Sequence, residues 1–256
     1  MSIWKPALFF VFCLLIGLII NLPVGYLMAY AKIPDQVKIS QLSGTLFEGQ
    51  IETLIVNRVV IDDLEYEFNI SCLMILELCY QINFADGKGQ IRYVPVTGSV
   101  ELAQLELEIP MSNLTGMSDQ LLIKPSGSLY LSSDKVKYSK GQLADIDAVL
   151  VWKNAGIAGE DIDLGDYQLS ISKQNQQYLI VLSDLEAVLK VDGNGELKSN
   201  GGYSMNINID TKSGLDPNIK KVLELVATKK GLRQYNFRRS GTIDKMLLSY
   251  LSFEGV

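Results

Sequence analysis

The chain has 256 residues, a net charge of −6 and no histidine, and nearly half of its residues are hydrophobic. Without imidazole there is no Ser-His-Asp or Cys-His arrangement, no histidine general base and no histidine metal ligand. Of its cysteines, Cys13 lies in an apolar run, which leaves Cys72 and Cys79, too few for a structural zinc site; the scattered lysines and arginines form no basic face for nucleic acid.

The first element is the uncharged run Ala7–Met28, "ALFFVFCLLIGLIINLPVGYLM". At ~1.5 Å per residue it is long enough to cross a ~30 Å hydrocarbon core. Trp4 and Lys5 precede it and Tyr26 and Tyr30 stand near its end, as interfacial anchors do. The expected organisation is a short cytoplasmic flank (1–6), a transmembrane anchor (7–28) and an exported β-rich domain (32–256). The alternative is a cleaved signal peptide ending at "AYA", Ala29–Ala31, although the apolar region exceeds the ~7–15 residues of a signal core.

Next comes "QLSGTLFEGQ", Gln41–Gln50. A phosphate loop needs glycines that lead into a helix, with a lysine following. Here Gly49 leads into "QIETLIV", a strand-like run, and the nearest downstream cation is Arg58. Gly44 and Gly49 therefore read as backbone devices at a tight bend or bulge between strands.

Strict alternation follows. In "DLEYEFNI" Leu64, Tyr66, Phe68 and Ile70 alternate with Glu65, Glu67 and Asn69, and "QLELEI", "DYQLSIS" and "SMNINID" repeat the pattern farther on. Such strands form half-buried antiparallel sheets. "ADGKG" (Ala85–Gly89), "DGNG" (Asp192–Gly195) and "SNGG" (Ser199–Gly202) read as hairpin turns.

"SCLMILELC" is ambiguous in type, readable as a short helix-like bend or as a hairpin. On a helix Cys72 and Cys79 would lie ~10 Å apart, too far for a disulfide. In a bend they can meet, and an oxidising compartment would keep them bonded; two buried free thiols is the competing reading.

The pattern restarts at "GSLYL" from Gly127, much as "GTLFEG" began it, so a loose two-part organisation would divide near Pro125. One helix stands apart in "DPNIKKVLELVATKKG". Asp216 is its N-cap, Pro217 its first residue and Gly231 lies past its end. Its apolar stripe is Ile219, Val222, Leu223 and Val226, and Lys229 and Lys230 suit its C-terminal dipole. "YNFRRSGTI" (Tyr235–Ile243) is a closing strand. The fold class is mainly β: a transmembrane helix, then a curved antiparallel sheet with one or two short helices.

The anchor, followed by Val37, Ile39, Leu42, Gly44, Thr45, Leu46, Phe47 and Gly49, resembles the start of protein N of the bacterial type II secretion system. Phe47 stands where that family usually has tryptophan, and Gln50 where it has a small residue. The late helix and closing strand extend the resemblance over the chain. It implies an inner-membrane accessory part of the secretion machine, facing the periplasm and partnered by other inner-membrane subunits, with no catalytic residues; the residues themselves point to no cofactor and no metal.

Two other classes compete. A curved sheet with one apolar face can bind lipid, and the family is similar in pattern to envelope proteins that do so. An enzyme would draw on carboxylate pairs, Asp62 with Asp63 or Asp145 with Asp147, although such pairs are ordinarily solvated. The arginines Arg233, Arg238 and Arg239 form the one local basic cluster, a candidate partner surface for acidic proteins or lipid headgroups.

Overall fold

The computed structural model describes residues 4–28, 37–56, 59–111, 124–139, 142–159, 162–175, 177–198 and 202–242. "AYA", Arg58, residues 199–201 of "SNGG" and Ile243 lie outside them. The chain forms two compact units, Met1–Pro95 and Val96–Val256. The division therefore falls well before Pro125, which opens a strand of the second unit.

The first unit begins with α1 (Trp4–Ile20) and α2 (Val24–Met28). The apolar run is not one helix. Pro23 has no N–H to continue the ladder and disfavours helical backbone at Leu22. Asn21 closes α1 instead, its backbone N–H and side-chain amide both donating to the Gly17 carbonyl, at 3.2 and 2.8 Å. The 17 residues of α1 rise ~26 Å. Among the described residues no helix is long and apolar enough to cross a membrane.

Five strands follow: β1 (Val37–Gly44), β2 (Glu48–Val56), β3 (Val59–Asn69), β4 (Leu78–Phe84) and β5 (Gly87–Val94). Each is antiparallel to the next. Alternation in β3 is as the sequence dictates: Leu64 is buried, Tyr66 and Phe68 half-buried, Glu65 and Glu67 exposed. Ile70 leaves the strand and opens a 3-10 helix, Ile70–Ile75. Ala85 and Asp86 make the tight β4–β5 hairpin, with Phe84 opposite Gly87.

The second unit holds β6 (Ser99–Pro110), β7 (Pro125–Ser139), β8 (Gln142–Ile157), β9 (Asp163–Gln174), β10 (Gln177–Ala187), β11 (Leu189–Lys198) and β12 (Gly202–Thr211). Then come α3 (Pro217–Val226), β13 (Thr228–Lys229) and β14 (Gln234–Thr242). From β6 to β12 each strand is antiparallel to the next; β14 pairs with β12, and β13 adds to the outer side of β14. A register shift between Ser133 and Lys135 and left-handed Gln104 and Asn154 bend these long strands. Gly127 shares Gly44's positive φ (99° and 104°) but lies inside β7, whereas Gly44 ends β1. The two motifs thus do different work.

"DGNG" is not a turn. Asp192–Gly195 lies within β11, where Gly193 faces Leu182 and Ile207, and Gly195 faces Ile180 and Met205. The alternation continues through it, with Leu189, Val191, Gly193 and Gly195 buried and Lys190, Asp192, Asn194 and Glu196 exposed. A β-carbon at Gly193 would lie 3.0 Å from Ile207 Cγ1 and 3.1 Å from Leu182 Cβ, so the neighbouring aliphatic chains occupy the space a side chain would need.

Helix α3 starts as its sequence requires: the Asp216 carboxylate accepts from the Asn218 N–H at 2.7 Å, and Pro217 stands at N1. It ends a turn earlier than its lysines suggest. Ala227 is extended, and Thr228–Lys229 pair with β14, so strand bonds replace the last helical turn. Gly231 belongs to the β13–β14 turn, its N–H donating to the Gln234 carbonyl. Ile219 and Leu223 bury against Tyr167, Leu189, Val191 and Tyr235, forming the core at one end of the sheet face, whereas Val226 is exposed.

Candidate functional site

The corner Thr45–Phe47 between β1 and β2 is built from backbone and aromatic rings. Gly44 has φ +104°, a conformation that L-residues avoid. The Thr45 N–H donates to the Glu48 carbonyl at 2.8 Å, and the Thr45 hydroxyl accepts from the N–H groups of Phe47 and Glu48 at 3.2 and 3.3 Å. Gly49 lies opposite Gly44 and has no left-handed backbone; its constraint is space. A β-carbon there would lie 2.5 Å from the Ser43 oxygen and 2.6 Å from Tyr66 Cζ.

Two tyrosines from later strands tie the corner down. Tyr66 on β3 donates to the Thr45 carbonyl at 2.7 Å and Tyr80 on β4 to the Leu46 carbonyl at 3.3 Å. Burial raises both phenol pKa values, which keeps them donors. Phe47 meets Phe68 edge-on at 5.4 Å, and Phe68 meets Tyr80 at 5.2 Å. Pro23, just after α1, forms an isolated antiparallel bridge with Thr45. The tyrosine hydroxyls were not legible as partners of the corner, because their role depends on strand register.

At the same end of this sheet, Cys72 and Cys79 form a disulfide with their Cα atoms 5.9 Å apart. The reversal is made by Leu76 at φ 59°, with the Glu77 N–H returning to the Cys72 carbonyl at 3.0 Å. The Asn69 carboxamide oxygen caps the start, accepting from the Ser71 N–H at 3.0 Å.

The carboxylate pairs are not brought together as acid and base. Asp62 and Asp63 are exposed, and Asp62 accepts from the Thr53 hydroxyl at 3.0 Å. Asp145 pairs with Lys135 at 3.0 Å, and the hydrogen bond from that ammonium holds its carboxyl below the usual range. Among the described residues no group of three or more cysteines, aspartates or glutamates is placed to hold a metal.

The arginine cluster is split. Arg238 and Arg239 are successive residues of β14 and face opposite sides of the sheet. Arg238 opposes Asn206 on the polar face, where the Asn236 amide donates to Asn206 and Asn208 at 2.9 and 2.8 Å. Arg239 opposes Met205 on the apolar face. Arg233 lies in the loop before β14, its carbonyl accepting from the Thr211 N–H at 2.9 Å.

No curated protein and no solved structure matches the chain significantly. The family model for Type II secretion system (T2SS), protein N matches residues 35–238, from just before β1 into β14. That span holds the glycine corner, the disulfide bend and helix α3, and covers roughly four-fifths of the sequence, so the chain belongs to the protein N family of the type II secretion system.

Proposed function

We propose that this chain is a non-enzymatic accessory component of the type II secretion apparatus, held at the bacterial inner membrane by its N-terminal helix with its sheet units in the periplasm. The family match over nearly the whole sheet region carries the reading. The character of α1 supports the anchoring. Its described side chains, including Leu8, Phe9, Phe10, Phe12, Leu14 and Leu18, are apolar and exposed, which suits a helix surrounded by lipid. The disulfide supports export, because such bonds persist in oxidising compartments. Other components of the apparatus are the expected partners. Deleting the gene should abolish or reduce secretion of the exported proteins, and the full chain should restore it and resist carbonate extraction from membranes. Normal secretion in the deletion strain, or release by carbonate, would overturn the reading.

A second reading, lipid binding, draws on the apolar face of the second unit. Ile171, Ile180, Gly195 and Met205 run across four strands beyond the helix-covered core, with Arg239 at the end of the row. The three side chains are half-exposed and flank the buried Gly195, which adds no side chain of its own to the row. Lipid co-purifying with the full-length protein, and lost from Gly195→Leu, is its expected signature.

A further inference from the structure

Among the described residues, the 3-10 bend between β3 and β4 carries the densest group of exposed apolar side chains outside α1. Ile70, Leu73, Met74, Ile75 and Leu76 are 44–89% exposed within seven consecutive residues. Folding alone does not account for them. Their burial is forgone, and Leu76 occupies a left-handed position where glycine or asparagine is normally preferred. The one charge in the bend, Glu77, is neutralised by Arg92 at 3.4 Å. The Cys72–Cys79 bond fixes the bend, so its apolar side chains need little ordering to engage a surface.

The location selects the partner. The β1–β2 corner and the bend lie at the same end of the first unit's sheet, as the Phe68 N–H to Phe47 carbonyl and Tyr80 to Leu46 hydrogen bonds show. Pro23, three residues past the end of α1, bridges to Thr45 of that corner. The helix end and the bend therefore share one end of the unit. We propose that Ile70–Leu76 is a disulfide-pinned wedge that inserts into the lipid surface where α1 leaves the bilayer, so that the sheet stands with this end against the membrane. This rests on the anchoring reading above.

The test places tryptophan at Met74 in the full-length chain, in phosphatidylethanolamine–phosphatidylglycerol vesicles containing acyl-chain-brominated lipid. Val60→Trp, at the opposite end of β3, is the comparison, and intact Cys72–Cys79 pairing reports folding in both. Emission added over the parent should be blue-shifted and mostly quenched for Met74→Trp, and water-like and unquenched for Val60→Trp. Unquenched, water-like emission at position 74 in protein that still resists carbonate extraction would overturn the wedge while leaving the anchor in place. Blue-shifted but unquenched emission would overturn it in favour of a protein partner. Equal quenching at both positions would overturn the end-on arrangement, and carbonate release of the parent would remove the anchor on which the inference stands.

Discussion

Gly49→Ala and Gly49→Val test whether the β1–β2 corner is held by space. Both substitutions add the same β-carbon, 2.5 Å from the Ser43 oxygen and 2.6 Å from Tyr66 Cζ. The Ser43 oxygen belongs to the paired strand and cannot retreat without moving β1. The Tyr66 ring can retreat, but doing so breaks its 2.7 Å bond to the Thr45 carbonyl. Overpacking of this kind costs about 1–3 kcal/mol, and the lost hydrogen bond adds about 1 kcal/mol. Alanine should therefore cost about 2–4 kcal/mol, and valine somewhat more. For a chain of this size that lowers Tm by roughly 4–16 °C. Tyr66→Phe removes only the hydroxyl and should cost about 1 kcal/mol. Glu48→Ala should be near neutral because the corner uses Glu48 only through its backbone. Thermal melts of the full-length protein in detergent would read the series. A Gly49→Ala protein that melts like the parent would refute the spatial argument, and a loss seen only with valine would shift the cause to β-branching.

Other expectations follow from the same geometry. Cys72→Ser and Cys79→Ser should each destabilise the first unit by about 2–3 kcal/mol, the value for so short a closed loop; non-reducing peptide mapping that finds both thiols free in the exported parent would remove the basis for this. Gly193→Val should cost about 1–3 kcal/mol by crowding Ile207 and Leu182, readable as a shifted urea midpoint, whereas a surface turn would tolerate it. Burial pushes the Tyr167 phenol up to about 12. A raised folded pKa means stability that is complete below pH ~10 and lost as pH rises toward ~12, because the unfolded phenol ionises first. Tyr167→Phe should flatten that alkaline decline in a pH series of melts; an unchanged slope would argue against burial as its source.

Much of the fold was legible because its signals are local. Alternation in "DLEYEFNI" needs only the period of a strand, and the start of α3 needs only Asp216 and Pro217. The corner glycines were legible as shape, although only Gly44 is held by its backbone angle and Gly49 is held by contact. The contact comes from Tyr66, seventeen residues on, and only the register of β2 on β3 brings it there. Thr45 adds a local contribution that needs no register: its hydroxyl accepts two backbone N–H bonds at once within the turn. The arginines show the opposite error, since adjacency in sequence is separation across a sheet.

Strand β11 shows why composition misleads most where a sheet is most crowded. Four residues, "DGNG", have every mark of a hairpin turn, yet they occupy an interior strand paired on both sides. Their glycines fall at alternate positions, and those are the buried ones. Glycine in a strand costs backbone entropy and contributes no side chain of its own. Here the side chains of Leu182 and Ile207 fill the space above Gly193, so the apolar face stays packed although β11 contributes nothing to it there. A turn reading treats glycine as freedom to bend; in β11 it is room for neighbours. The distinguishing sign lies in the flanks, because Leu189 and Val191 before the stretch and Leu197 after it continue the same two-residue period through both glycines.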